Sequence, residues 1–287
     1  MPRTNPAVPR TNPAVPGTMA AVPGTVPAVL PRHRNLPPTP RPGGRTLGPM
    51  PTLLLVRHGR STANTAGILA GWTPGVDLDD TGRAQAAALA GRLAGIPLAQ
   101  AVSSPLERCR QTLEPLLAAR PELGAPTEDE RLGECHYGDW TGRPLAELAQ
   151  EPLWRTVQDH AAAAAFPGGE SLRELSHRTV SAVREWNEKI AAEHGENAVW
   201  IACSHGDVIK AVVADALGLH LDHFQRIGVD PCSVTAIRYT PQRPFVLRMG
   251  DTGDLASLAP KPRDGHSDHR SGAPDGDAVV GGATGAV

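Results

Sequence analysis

Two tripeptides stand out by residue type and position: Arg57-His58-Gly59 and Ser204-His205-Gly206. Each closes a short apolar run, residues 52–56 in the first case and 197–203 in the second. Each therefore puts an imidazole where a buried strand ends, and a glycine where the backbone must turn or let a ligand approach closely. One such histidine is more often structural; two in matching contexts point to a shared pocket. Arg57 adjoins the first histidine, and Arg108 lies one helical turn beyond Ser103-Ser104, at the end of another short apolar run. A guanidinium holds phosphate oxygens with two parallel hydrogen bonds and keeps its charge at any physiological pH. Arg110 is an equal rival to Arg108 on this reasoning. For proton transfer the glycine-punctuated stretch RLGECHYGDW, residues 131–140, offers Glu134, with Glu130 and Asp139 as rivals. Two imidazoles, two guanidiniums, a carboxyl group and nearby helix N-termini make a site for a phosphate group and for chemistry on it.

These residues need elements to position them. Residues 52–56, 100–103, 197–203, 233–239 and 245–249 read as short strands. Between them run helical patterns. One is capped at Asp80-Thr81-Gly82 and places Ala84, Ala87, Ala88, Gly91 and Leu93 along one side. A second begins with Ser104 as cap and Pro105 at the first helical position, and runs to about Arg120. Others span 144–160, 171–194 and 207–217. Alternating strands and helices predict a layered α/β/α fold with a mostly parallel central sheet, and ligands bind beyond the carboxyl ends of such strands.

The expected catalytic domain is 50–255. Ahead of it PRTNPAV occurs at 2–8 and again at 9–15, and proline there resists helix and sheet. Residues 1–49 are expected to be disordered, either a proline-rich ligand or linker or, as favoured, a translated upstream region with Met50 as the natural start. Residues 256–287 are expected to be a disordered tail. The formal net charge of −2 gives no bulk attraction to nucleic acid, and no basic stripe with interleaved aromatics occurs. Cys109, Cys135, Cys203 and Cys232 lack C-x-x-C spacing and read as reduced thiols. No apolar run reaches 18 residues, and no secretory leader is legible, so a cytoplasmic protein is expected. Lysine occurs only at 189, 210 and 261 against many arginines and alanines, the bias of a high-GC bacterial genome. His220 and His223 have ligand-like spacing but no third partner, so no metal is expected. Homo-oligomerisation is left open.

The motifs now in hand resemble those of the histidine phosphatase superfamily, the phosphoglycerate-mutase-like proteins, and within it a bacterial subgroup described as phosphomutases. The resemblance covers about 52–252. It rests on R-H-G at 57–59, Asn64, S-x-x-x-R-x-x-x-T at 104–112, G-E-x-x-Y-G-D-W around Glu134, P-G-G-E-S at 167–171 and S-H-G at 204–206. It implies that His58 is the nucleophile and takes the phosphoryl group. It implies that Arg57, Arg108 and His205 hold the phosphate oxygens, assisted by Asn64 and Gly206. Glu134 would protonate the leaving oxygen and later activate water.

The implied activity is that of a metal-independent phosphomonoesterase acting on a small phosphorylated metabolite, with no cofactor. A phosphomutase is the second reading and a non-catalytic phosphate-binding protein the third. The glycolytic mutases of the family carry an extra insertion between the acid and the second histidine. Two helices and a strand account for most of 134–205 here, which favours a phosphatase. Two details are local to this chain. Arg60 follows R-H-G and is expected to add positive charge at the pocket mouth. Arg143, Trp154 and Arg155 are expected to cover the pocket and set selectivity, while Glu170 is expected to orient a loop from a helix N-terminus.

Overall fold

The computed structural model describes residues 51–253, so the proline-rich stretch and the tail expected to be disordered lie outside the described residues. The strands are β1 (Thr52–Arg57), β2 (Gln100–Ser103), β3 (Thr127–Glu128), β4 (Val199–Ser204), β5 (Val234–Arg238) and β6 (Phe245–Asp251). The helices are α1 (Thr62–Ala66), α2 (Asp80–Arg92), α3 (Glu107–Ala118), α4 (Leu145–Leu148), α5 (Pro152–Asp159), α6 (Leu172–His194) and α7 (Gly206–Leu217). The six strands form one sheet in the order β3-β2-β4-β1-β5-β6. β3, β2, β4 and β1 are mutually parallel, and β5 is antiparallel to both its neighbours.

Strand alternation sorts the core into two layers. Leu53, Leu55, Trp200 and Ala202 face α6 and α7, meeting Leu175, Val183, Val208 and Val212. Leu54, Val56, Ile201 and Cys203 face α2 and α3, meeting Ala86, Leu89, Leu113 and Leu116. This is the expected α/β/α layering. Each fully buried aliphatic side chain stabilises by roughly 1.5–3 kcal/mol, and a one-residue slip would turn every such residue to the other layer. Register is thereby fixed: Arg57 stands beside Ser204 and Ser103 beside Cys203. The three strands β1, β4 and β2 end side by side.

Several helix expectations need correction. The buried face of α2 is Gly82, Ala86 and Leu89, followed by Leu93, whereas Ala84, Ala87, Ala88 and Gly91 are exposed. Alanine suits either environment, so an alanine-rich helix carries little phase information. Asp79, whose side chain accepts from Gly82 N, caps this helix one residue earlier than expected. The single helix expected over 144–160 is two, because Pro152 lacks an N–H and holds Glu151 in extended backbone. Helix α3 begins at Glu107 with Leu106 as an uncapped N-cap, while Ser104 lies ahead of it and accepts from Leu106 N.

Candidate active site

His58 leaves the end of β1 and is 3% exposed. Its Nδ1 lies 2.7 Å from the Gly59 carbonyl. A carbonyl only accepts, so Nδ1 carries the proton and Nε2 keeps its lone pair. Burial, then the charges of Arg108 and Arg57, hold the imidazole well below its usual range, which keeps it neutral. Gly59 N donates to Thr112 Oγ1 (2.9 Å), which donates to the Arg108 carbonyl (2.6 Å). A Cβ on Gly59 would stand 2.7 Å from the Gly82 carbonyl, so this turn admits no larger residue without movement.

The second imidazole is parallel in origin. His205 follows β4, and its ring centroid lies 5.1 Å from that of His58. Its Nε2 is 2.8 Å from Ser104 Oγ, at the end of β2. Ser104 Oγ also accepts from Leu106 N (3.3 Å), and its own proton is assigned to Nε2. The proton of neutral His205 then sits on Nδ1, a buried atom with no protein partner among the described residues. Burial and the neighbouring Arg108 hold this ring neutral as well. His205 is also the N-cap of α7, which has no side-chain cap of its own, so Gly206 brings an uncapped helix N-terminus to the same place.

The guanidiniums are internal. Arg57 is fully buried, and its Nη1 donates to the Val229 carbonyl at 2.7 Å. Arg108, 2% exposed, donates from Nη2 to the Gly71 carbonyl at 2.8 Å. Its buried Nη1 has no partner among the described residues. Arg110, the rival, is exposed and pairs with Glu128 at 3.3 Å.

Of the three candidate acids only Glu134 is buried, at 3% exposure; Glu130 and Asp139 are exposed. Ser204 Oγ donates to the Leu132 carbonyl at 2.7 Å, which ties the acid loop to the end of β4. Trp72 Nε1 (2.6 Å) and Arg178 Nη2 (3.0 Å) both hold the Glu134 carbonyl. Glu170 accepts from His136 N at 2.9 Å and pairs with Arg178, so it does brace the loop. The glycines of both motifs let the two backbones touch: a Cβ on Gly138 would collide with the Pro167 carbonyl, and one on Gly169 with the His136 carbonyl. Burial first, then the carboxylate of Asp207, push the Glu134 carboxyl up to about 7. The Cys135 N–H, Arg108 and Arg57 oppose the rise. A carboxyl near neutrality both gives and takes a proton at working pH.

His58, His205, Arg57, Arg108 and Glu134 thus come together at the carboxyl edge of the sheet. Other expectations are placed differently. Asn64 Oδ1 accepts from Ser61 N (3.1 Å) and closes a capping box on α1, leaving only its amide donors for a ligand. Arg60 binds Asp79 at 2.6 Å and Thr81 at 2.7 Å, so its charge is matched there. Arg143 pairs with Glu151, Arg155 is 90% exposed beside Asp159, and Trp154 packs against Trp140. Their expected pocket-covering role finds no support in these contacts. His220 leans on Asp222, and the His220 and His223 rings are 6.5 Å apart. All four cysteines are free and buried.

Three contributors escaped the sequence reading. The turn at 229–232 supplies the Val229 carbonyl, and Cys232, at φ 56°, donates its N–H to the Arg57 carbonyl at 3.0 Å. Among the described residues Cys232 is the one side-chain-bearing residue with positive φ, a conformation that costs on the order of 1–3 kcal/mol. Trp72 lies in a loop with no motif around it. Asp207 is the third. A proline inside Asp230-Pro231-Cys232 was the one visible sign of the turn.

The sheet order, and a histidine pair at its carboxyl edge, define a phosphoglycerate-mutase-like α/β enzyme. A family model described as histidine phosphatase superfamily (branch 1) matches residues 53–252, and the chain belongs to that superfamily. It is 31% identical over 199 residues to a 2,3-bisphosphoglycerate-dependent phosphoglycerate mutase 2 of Gloeobacter violaceus, covering 68% of this chain and 89% of that protein. Among solved structures it is similar to Bacillus stearothermophilus YhfR, with a TM-score of 0.63 and 29% identity over 70% of this chain and 97% of that one. A mycobacterial glucosyl-3-phosphoglycerate phosphatase gives 0.61 and 25% identity over 69% and 98%. Phosphatases and phosphomutases both stand among these relatives. Among the described residues no helix is long and apolar enough to cross a membrane.

Proposed function

We propose that residues 50–255 form a metal-independent phosphomonoesterase that works through phosphohistidine on His58. One observation carries the reading: the unprotonated Nε2 of His58 lies in the same buried site as two donors lacking protein partners among the described residues, His205 Nδ1 and Arg108 Nη1. A phosphate group satisfies both donors and meets the nucleophile. In the first step His58 Nε2 attacks phosphorus, the ester P–O bond breaks, and Glu134 gives its proton to the departing oxygen. In the second, water attacks phosphorus, ionised Glu134 takes its proton, and the P–N bond breaks to release phosphate. Arg57, Arg108, His205, the amide of Asn64 and the Gly206 N–H hold the phosphate oxygens, where charge shifts in each step. Donors fixed in a buried site need little reorganisation, so the protein's own cations serve to stabilise the charge.

The substrate is a small phosphorylated metabolite, and the protein works in a bacterial cytoplasm without nucleic acid; its oligomeric state does not enter the mechanism. The similarity to a phosphoglycerate mutase supports a second reading, in which the phosphoryl group returns to the substrate instead of passing to water. The test uses wild-type protein and H58A with a panel of phosphomonoesters. Free phosphate, and an acid-labile phosphoryl adduct absent from H58A, are expected. Isomer formation without free phosphate would replace the phosphatase reading by the mutase one.

A further inference from the structure

Three buried polar side chains have no task in the mechanism above. Tyr137 and Asp207 are fully buried, and Lys210 is 3% exposed. Tyr137 donates its hydroxyl proton to Asp207 Oδ2 at 2.8 Å. Lys210 Nζ lies 3.6 Å from Asp207 Oδ1 and donates to Gln225 Oε1 at 2.7 Å. An apolar core would not need such a cluster, because buried charges are costly even when paired. Its placement is informative. Tyr137 lies three residues beyond Glu134 on the acid loop, while Asp207 lies two residues beyond His205, and Lys210 one turn further along α7. The cluster therefore joins the element carrying the acid to the element carrying the second histidine.

We propose that Asp207, clamped by Tyr137 and Lys210 where the acid loop meets α7, is a positioning residue of the reaction: its charge tunes the proton transfer from Glu134 to the leaving oxygen. The inference rests on the phosphatase reading and assigns the charge that arms its acid. The surroundings of Glu134 include charges that oppose this role. Arg57 from β1 and Arg108 from α3 both favour its ionised form. His58 and His205 are held neutral and add nothing of either sign. From α6, Arg178 donates to the backbone carbonyls of Arg131, Gly133 and Glu134 and is matched by Glu170. The Cys135 thiol is kept protonated by burial, and Lys210 is matched by Asp207 itself. Asp207 is the carboxylate that opposes the two arginines, and it acts in the same direction as burial. The Tyr137 bond also fixes the acid loop against α7, so the charge and the acid keep a constant separation.

The leaving group separates this role from simple packing. An alkyl phosphate expels a strongly basic oxygen and depends on the acid; p-nitrophenyl phosphate expels a weakly basic one and hardly does. In D207N the amide oxygen still accepts from Tyr137, but the charge is gone. The expected result is a loss of kcat/KM on an alkyl phosphate that exceeds the loss on p-nitrophenyl phosphate by at least about tenfold. The alkaline limb of the alkyl-ester pH profile should also move down by about one pH unit. The double variant D207N/K210M removes both charges and leaves neither buried alone; the same direction of change is expected. Equal losses on the two esters with an unmoved limb, in whichever variant folds, would reduce the cluster to packing and overturn the proposal. Wild-type protein that forms no phosphohistidine and hydrolyses neither ester would instead overturn the phosphatase reading on which it rests.

Discussion

Replacing Glu134 by glutamine should make the protein more stable at alkaline pH while disabling its chemistry. The side chain is 3% exposed and its carboxyl titrates at about 7 instead of 4.5. Below pH 4.5 the group is protonated in the folded and the unfolded chain alike, and its burial carries no ionisation penalty. Between 4.5 and 7 the unfolded chain releases the proton while the folded chain keeps it, so stability falls as pH rises. Above 7 the folded chain releases it too, and the full penalty, about 3 kcal/mol, is in place. Glutamine has nearly the same shape, still accepts from the Cys135 N–H, and never ionises. Urea denaturation of wild type and E134Q, followed by tryptophan fluorescence in phosphate-free buffers, should give matching stabilities near pH 4.5. At pH 8 the variant should be more stable by about 3 kcal/mol. The same variant should lose alkyl phosphate hydrolysis by about 10²–10⁴-fold. A stability difference that does not change with pH would mean that Glu134 is not a buried carboxyl held near neutrality, and the acid assignment would fall with it.

Two further outcomes test the frame around the acid. S104A removes the hydroxyl that fixes the His205 tautomer, and inhibition by vanadate should weaken by about tenfold, the size of effect typical of lost orienting contacts; unchanged inhibition would show that Nδ1 needs no such help. The two glycines of α2 should respond with opposite signs. Gly91 has open space around it, so G91A should stabilise by about 0.5–1 kcal/mol, whereas a Cβ on Gly82 would collide with the Arg60 carbonyl and G82A should destabilise. Thermal midpoints of both variants decide, and a stabilised G82A would mean that the turn after His58 is looser than described.

The parts of the molecule that could be read from the sequence are those where one residue type does one thing. Buried apolar runs announced β1, β2 and β4, and the polar residues that interrupt them are the site. Phase in α2 was hidden because its alanines are indifferent to burial. The acid was legible as a choice among Glu130, Glu134 and Asp139, and only tertiary packing separates the buried one from the exposed pair. Ser104 looked like a helix cap and instead orients His205, because a hydroxyl fits either partner. Arg60 looked like a free cation, and its partner Asp79 is 19 residues away. Trp72 and Asp207 carried no local pattern at all: their importance lies in what they touch across 62 and 70 residues of chain, to Glu134 and Tyr137 respectively.

The neighbouring rungs Arg57 and Ser204 have a consequence for how such a protein can change. The spacing between the two imidazoles follows from main-chain bonding between the neighbouring strands β1 and β4. Residues 140–170 are loops and short helices outside the sheet, with Trp140, Leu148, Val157 and Phe166 packed into the core. Exchange of exposed residues in that segment leaves this ladder untouched. One scaffold can thereby serve many phosphorylated compounds, provided the ladder beneath keeps its register.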